Sequence, residues 1–148
     1  MVRESIPQMA NIPEFDDAVR ASDKWLDDLK HRLGWEHSYR VYLALLATLH
    51  ALRDHLPTDE VARLGAALPP LLRGFYFEGW HPRGRSAGPM SREAFSSRIR
   101  EGVHRDPGID AEAVSRAVFA LLAERLSSAD LEEIKAATPA SLHGLWPD

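Results

Sequence analysis

The first apolar pattern along the chain is helical and begins after Pro13. Its apolar or small positions recur every three or four residues, which is the period of one helix face; they are Phe15, Val19, Ser22, Trp25 or Leu26, Leu29 and Leu33. Proline is favoured at the first helical position and glycine just after the last, so Pro13 and Gly34 mark the expected ends. The pattern predicts one long helix, or two helices broken near Ser22, a good N-cap residue.

A second apolar stripe predicts a central, mostly buried helix over residues 36–56. Its core positions are Tyr42, Leu45, Leu49, Leu52 and Leu56, widened by Leu43 and Leu46. The stripe is wider than the seam of a coiled coil, which indicates burial on more than one side. Pro57 ends this helix, and Thr58 is predicted to cap a short one after it. A further turn is predicted to start at Pro69 and to stop at Gly74.

The second half of the chain follows a segment dense in Gly and Pro. Residues 79–90, GWHPRGRSAGPM, hold three Gly and two Pro, a density that predicts a linker or an ordered loop. Helices are then expected after the N-cap residues Ser91, Asp110, and Ser127 or Ser128. A last turn is expected over residues 138–144, where Pro139 precedes Gly144.

The two halves align without a gap when the sequence is shifted by seventy residues. Eight of the thirty positions between Ala47 and Tyr76 are then identical, and the identities include Pro69 with Pro139. The remaining identities fall on apolar positions and on the glycine that lies five residues after each of these two prolines. Self-similarity at a fixed period indicates a structural repeat. We therefore predict an all-α fold, a single compact helical bundle built from two pseudo-repeats.

The repeat sets the expected domain organisation. One helical domain is predicted over residues 13–148, and its parts are pseudo-repeat 1 at 22–78, a linker at 79–90 and pseudo-repeat 2 at 91–147, with 1–12 as a loosely ordered lead. One repeat has about 55 residues, a size that is marginal for independent stability. We therefore expect the two repeats to share one core.

Composition excludes several classes of protein. The net charge is −4 and the chain has no cysteine, which argues against general nucleic-acid binding and against thiolate chemistry. No apolar run in the sequence is long enough to cross a bilayer. Residues 83–105 carry six Arg against two Glu, so nucleic acid stays a minor alternative. Fifteen Arg against three Lys favours a bacterial origin, and a soluble, cytoplasmic protein is expected.

The most distinctive segment is LPPLLRGFYFEGWHP at residues 68–82, and TPASLHGLWP at 138–147 is a weaker copy. The longer segment HALRDHLPTDEVARLGAALPPLLRGFYFEGWHP, residues 50–82, resembles the uncharacterised bacterial family known as domain of unknown function 2267. The stretch FDDAVRASDKWLDDLKHRLGW is similar too, so the resemblance extends from Phe15 over nearly all of the chain. It implies a small helical bacterial protein and transfers no activity, ligand, partner or catalytic residue.

The aromatic segment also supplies the candidate binding residues, which are Arg73, Tyr76, Glu78, Trp80, His81 and Arg83. Mixtures of Arg, Tyr and Trp are typical of binding hot spots. Helical spacing places Phe75 and Tyr76 on different faces, so both cannot join one core stripe. The alternative is that the aromatics cover the junction between the repeats and that Arg73 pairs with Glu78. The second repeat lacks the same aromatics, which favours a function.

No catalytic or metal-binding set is evident from the sequence. His50 and Asp54 lie one helical turn apart, but a metal needs three or four converging ligands, so we interpret them as a solvent-facing pair. Serines at 86, 91, 96 and 97 lack a nucleophile-elbow motif. Adjacent carboxylates such as Asp16 and Asp17 point in different directions on a helix. No cofactor and no membrane partner are expected.

Two functions of different classes follow from these observations. The first is a non-catalytic protein-interaction or self-association module that uses Tyr76, Trp80, His81 and the adjoining loop. The second is a small-molecule-binding protein or an enzyme with a pocket between the repeats, lined by Trp25, Tyr42, Glu78 and Trp80, because ligand sites often form between the helices of bundles. We favour the first, since few polar groups converge.

The shared core makes a prediction about cooperativity. Leu49→Ala or Leu122→Ala should destabilise the whole protein by about 2–5 kcal/mol, since each removes packing from a core that both repeats use. Urea unfolding followed by circular dichroism and by Trp fluorescence should give a single coincident transition. Two separate transitions, with only one shifted by each substitution, would contradict a shared core.

Overall fold

The computed structural model describes residues 11–82 and 90–148 and is all-α over those residues, with no strand among them. Its elements in chain order are α1 (Pro13–Leu33), α2 (Ser38–Arg53), α3 (Thr58–Ala67), α4 (Pro70–Phe77), α5 (Arg92–Gly102), α6 (Ala111–Arg125), α7 (Ser128–Ala137) and a terminal 3₁₀ helix (Ala140–Leu145). The predicted fold class is therefore confirmed. Arg83 and the rest of residues 83–89, most of the predicted linker, lie outside the described residues.

The first helix is continuous and has the predicted ends. Pro13 stands in its first turn, and Gly34 follows it in the left-handed conformation with φ 70°. The amide of Gly34 donates to the carbonyls of Lys30 (2.9 Å) and His31 (3.3 Å), which satisfies carbonyls that the helix leaves open. Ser22 is a buried residue inside α1 and caps nothing, so the prediction of two helices is wrong.

The predicted helix starts agree with the structure where a side chain caps the helix. Ser91, Asp110 and Ser127 each accept a hydrogen bond from the amide three residues later. Thr58 does not cap α3, because it is the first helical residue and Pro57 precedes the helix. The predicted stop at Gly74 is also wrong. The helix α4 continues to Phe77, because packing of its last turn outweighs the modest helix penalty of an internal glycine.

One connected core runs through both halves of the chain. Helix α1 packs against α2, α4 and α6, and α2 packs against α5 and α6. Leu49 and Leu122 are both fully buried in this core. The crossing of α2 and α5 is close, since a Cβ added at Gly102 would lie 2.4 Å from the Cβ of Ala47. The halves are thus joined by contacts of α1 with α6, of α2 with α5 and α6, and of α3 with α7.

Several equivalences favour the predicted repeat. Helices α3 and α7 begin and end seventy residues apart. Arg73 donates to the carbonyl of Leu68 at 2.9 Å. The ring Nε2 of His143 donates to the carbonyl of Thr138 at 2.6 Å. These two contacts join positions that are also seventy residues apart. The repeat itself stays a prediction.

The close crossing of α2 and α5 gives a matched pair of glycine substitutions. Gly102→Ala should destabilise the protein by about 1–3 kcal/mol, because the new methyl group overlaps Ala47 and the helices must separate. Gly74→Ala should stabilise it by about 0.5–1 kcal/mol, since nothing lies within 4 Å of the added Cβ and alanine favours a helix. Urea unfolding measures both changes. A Gly102→Ala protein as stable as the wild type would contradict the crossing.

Candidate functional site

The aromatic motif divides into an inner and an outer row on α4. Leu72 and Tyr76 are buried, whereas Leu71 and Phe75 are 41% and 36% exposed. The hydroxyl of Tyr76 donates to the carbonyl of Val61 at 2.8 Å, and burial raises the pKa of that phenol. The opposite placement of Phe75 and Tyr76 is the one that helical spacing predicts. Tyr76 belongs to the core, so it offers no surface to a partner.

Two side chains of α2 hold the last carbonyls of α4. The ring Nε2 of His50 lies 2.9 Å from the carbonyl of Phe75, to which it donates. The guanidinium of Arg53 donates through Nη1 to the carbonyls of Tyr76 at 2.6 Å and Glu78 at 2.9 Å. A helix leaves its last carbonyls without internal partners, and here the neighbouring helix satisfies them. The result is a short helix whose end is fixed by side chains from outside it.

The guanidinium of Arg53 is itself compensated inside the protein. Arg53 is only 4% exposed, and its Nε donates to Asp54 at 2.8 Å. Asp54 also pairs with Arg98 of α5 at 3.1 Å. Burial by itself would raise the pKa of Asp54, but the hydrogen bonds and positive charges of Arg53 and Arg98 outweigh it, and the pKa is lowered. The cluster is therefore a charged link between α2, α4 and α5.

This arrangement corrects two interpretations made from the sequence. His50 and Asp54 are not a solvent-facing pair, because each bonds to a different element of the fold. Arg73 does not pair with Glu78 among the described residues. It donates instead to the carbonyls of Gly65 at 3.0 Å and Leu68 at 2.9 Å, where it satisfies the end of α3. Sequence reasoning missed Arg53, which no spacing rule distinguishes from a surface arginine.

The outer row of α4 continues onto α2. The ring of Tyr42 meets Phe75 edge to face at 5.8 Å and stacks on Tyr39 at 5.8 Å. Tyr39 is 65% exposed. Burial raises the pKa of Tyr42, and the nearby carboxylate of Glu78 raises it further, which places a negative charge beside the ring. The aromatic row thus has an acidic neighbour at its edge.

Helix α1 contributes exposed apolar residues of its own. Ile12 just before the helix, and Phe15 and Val19 within it, are 39%, 57% and 48% exposed. They continue the stripe that is buried at Trp25 and Leu29 farther along α1. Helix α4 contacts both α1 and α2. We give the name α1–α4 surface to the exposed apolar residues of α1, α2 and α4 together with Ile12, which precedes α1; they are Ile12, Phe15, Val19, Tyr39, Leu71 and Phe75.

The other predicted binding residues lie just after α4. Glu78 and His81 are exposed, and Trp80 is half-buried with its ring 6.0 Å from that of Phe77. The indole Nε1 of Trp80 is buried without a hydrogen-bond partner. Their role in binding stays a prediction.

The residues predicted to line a pocket between the repeats take part in separate contacts. Trp25 lies under the guanidinium of Arg125 on α6, at 5.1 Å, whereas Tyr42 belongs to the aromatic row. Open depressions of about 280 and 370 Å³ lie on either side of Trp35 at the turn between α1 and α2, away from the predicted residues. Within residues 11–82 and 90–148, no group of three or more His, Asp or Glu is placed to hold a metal.

Three arginines of the basic segment that the structure describes, Arg92, Arg98 and Arg100, have nearby acceptors. Arg92 donates to the carbonyl of Ser141 and lies 3.6 Å from Glu112, and Arg100 pairs with Glu93 on the same helix. Arg98 belongs to the cluster with Asp54. A groove that follows a phosphate backbone needs free cations on one side with stacking aromatics, whereas Arg92, Arg98 and Arg100 pair with acceptors inside the protein.

The geometry defines a class: a small helical protein whose exposed apolar residues lie on three contacting helices, with a short helix held from outside by buried polar groups. The chain belongs to the family described as Uncharacterized conserved protein (DUF2267), whose model matches residues 22–145. The resemblance seen in the sequence is thereby confirmed. No curated protein matches the chain. In the described parts of the chain, no helix is long and apolar enough to cross a membrane.

The anchoring by His50 predicts a pH dependence of stability. Burial lowers the pKa of His50, and the charges of Arg53 and Arg98 add to this, whereas the bond to Phe75 and the charge of Asp54 oppose it. The unfolded chain therefore binds a proton more readily, near its ordinary pKa of 6.5. The free energy of unfolding should be highest above that pH and should fall as the pH drops towards the folded pKa.

Two substitutions separate titration from hydrogen bonding. His50→Gln retains a donor for the carbonyl of Phe75 and does not titrate, so it should lose this part of the acid-side decline. His50→Ala should lose the same part of the decline and also be less stable than the Gln variant above pH 7, by about 0.5–1.5 kcal/mol. Urea unfolding between pH 5 and 8 measures both effects. An unchanged pH dependence in His50→Gln would show that this imidazole does not contribute.

Proposed function

We propose that the protein is a non-catalytic protein-interaction module whose binding site is the α1–α4 surface, with Glu78, Trp80 and His81 at its edge. The supporting observation is the distribution of exposed apolar side chains. Among the described residues, every exposed large apolar side chain lies on α1, α2 or α4 or, for Ile12, just before α1. Scattered exposed apolar residues are ordinary, but a set gathered on contacting helices is typical of an interaction site.

The two halves differ at this point, which favours a specialised role for the first. Leu71 and Phe75 correspond, seventy residues later, to Ser141 and Leu145. Ser141 is polar and exposed, whereas Leu145 is buried. The exposed residues on α4 therefore have no exposed apolar counterparts at the positions that the predicted repeat makes equivalent. Packing requirements that both halves share do not account for this difference.

The anchors of α4 differ in the same way. His50 and Arg53 correspond to Ala120 and Ala123, which have no side-chain donor. The second half accordingly lacks both carbonyl bonds, and its last segment is a 3₁₀ helix. That segment is held differently, since Arg116 of α6 donates to the carbonyl of Gly144 at 3.0 Å. The His50 and Arg53 donors are thus found only in the half that carries the exposed ring of Phe75. A pre-organised surface loses less conformational entropy when a partner binds.

The residue types on the surface suit protein recognition. Aromatic side chains supply large contact areas, and Tyr and Trp are enriched at binding hot spots. Tyr39 and Phe75 are exposed next to the half-buried Tyr42. A chain without cysteine suits a reducing compartment, so we place this module in a bacterial cytoplasm. The alternative of a small-molecule site gains no support from Trp25 and Tyr42, which face different contacts.

Site-specific photo-crosslinking tests the proposal. A photoreactive phenylalanine analogue in place of Phe15 or Phe75 should give a discrete protein adduct when the chain is produced in its own cells. The same analogue at exposed Ala136 of α7 is the control and should give none. Adding Leu71→Glu should reduce the adduct at Phe75 about tenfold or more, because a charge on the apolar surface opposes burial. Adducts that ignore Leu71→Glu, or that form equally at Ala136, would overturn the proposal.

A further inference from the structure

We propose that the α1–α4 surface binds a cationic amphipathic helix of another protein. This inference rests on the proposed function and adds the chemical class of the partner. It is carried by two features of the surface: an exposed helical stripe of apolar residues, and carboxylates along the edge of that stripe. An apolar face bordered by negative charge is complementary to a helix that is apolar on one side and basic beside it.

The apolar stripe has the form of one half of a helix–helix contact. Ile12, Phe15 and Val19 are spaced by three and four residues, so they lie on one face of α1. The same face is buried against the core at Trp25 and Leu29. Its first part therefore extends past the core, with Phe15 more than half exposed. Helix ridges of this kind pack into the grooves of another helix.

Carboxylates border this stripe. Asp16 lies four residues after Ile12 and three before Val19, and Asp23 lies four after Val19, so both are next to apolar members of the stripe. Arg20, a nearby cation, pairs with Asp17. At the other end of the surface, Glu78 is exposed just after α4, three residues beyond Phe75. The surface therefore has carboxylates beside Ile12 and Val19 and just after Phe75, with Lys24 as an exposed cation next to Asp23.

The same charges argue against two other occupants. A second copy paired through its own α1 would bring the Asp16 and Asp23 carboxylates of both chains together, and like charges across an interface are repulsive. The basic helix of a second copy, α5, already buries its apolar residues Phe95 and Ile99 in the core. A lipid surface is disfavoured as well, because anionic headgroups attract basic rather than acidic edges.

Peptide binding to the full chain tests the proposal. The probe is a peptide of about 18 residues, roughly five helical turns, with Leu on one face and Lys on the other positions. The matched peptide carries Glu in place of Lys. Calorimetry or fluorescence anisotropy should show at least tenfold tighter binding of the Lys peptide, with a loss of affinity at high salt. Phe15→Ser combined with Phe75→Ser should weaken that binding about tenfold or more.

Charge substitutions separate this edge from the general negative charge of the protein. Asp16→Asn with Asp23→Asn should weaken binding of the Lys peptide about threefold to tenfold. The matched control is Glu132→Gln with Glu133→Gln, which removes two exposed carboxylates from α7 and should leave affinity within about twofold. Circular dichroism confirms that each variant remains folded. Equal losses in both double variants would overturn the proposal, since attraction would then depend only on net charge.

The remaining outcomes identify the other occupants, and each overturns the cationic helix. One is a dimer in sedimentation velocity that Phe15→Ser with Phe75→Ser dissociates. Another is binding to vesicles of phosphatidylglycerol and phosphatidylcholine that the same variant loses. Equal binding of the Lys and Glu peptides, or no binding of the Lys peptide, also overturns it. If photo-crosslinking at Phe75 still gives a specific adduct, the interaction module stands without this partner class; if that fails too, both proposals fall.

Discussion

The structure depends on one buried cation, the guanidinium of Arg53. It donates to the carbonyls of Tyr76 and Glu78 and to the carboxylate of Asp54. A helix of eight residues such as α4 is too short to be stable by itself. Its end therefore requires donors from outside, and a buried charge requires acceptors in return. The two requirements are met by the same contacts, and Asp54 extends them to Arg98 of α5.

This anchoring determines which aromatic residues face the solvent. Tyr76 is fully buried with its hydroxyl bonded, so the rotation of α4 about its axis is defined. Because consecutive residues of a helix point in different directions round its axis, Phe75 then faces outward, beside Tyr42. The outward position of Phe75 is thus a consequence of the buried contacts of Tyr76 and Arg53. Phe75 belongs to the half of the chain that has His50 and Arg53 as anchors.

The sequence predicted the helices well where local chemistry decides them. Proline at the start of α1, the left-handed glycine after it and the serine and aspartate caps act within one turn, so spacing alone reveals them. The predictions from the sequence failed where a residue far along the chain determines the local structure. Gly74 did not end α4, whose last carbonyls are held by His50 and Arg53 of α2. Arg73 did not pair with Glu78, because it donates to carbonyls at the end of α3. The role of His50 in holding Phe75 spans twenty-five residues and leaves no local pattern.

By itself the sequence determined the all-α class, the helix starts, the core stripes and the membership of a family, since periodicity and capping are local properties of the chain. Tertiary structure alone decided that Arg53 is buried, that Tyr76 is core and Phe75 surface, and that the exposed apolar residues lie on three contacting helices. The physical reason is that the satisfaction of a buried charge and the rotation of a short helix depend on partners brought together only by folding.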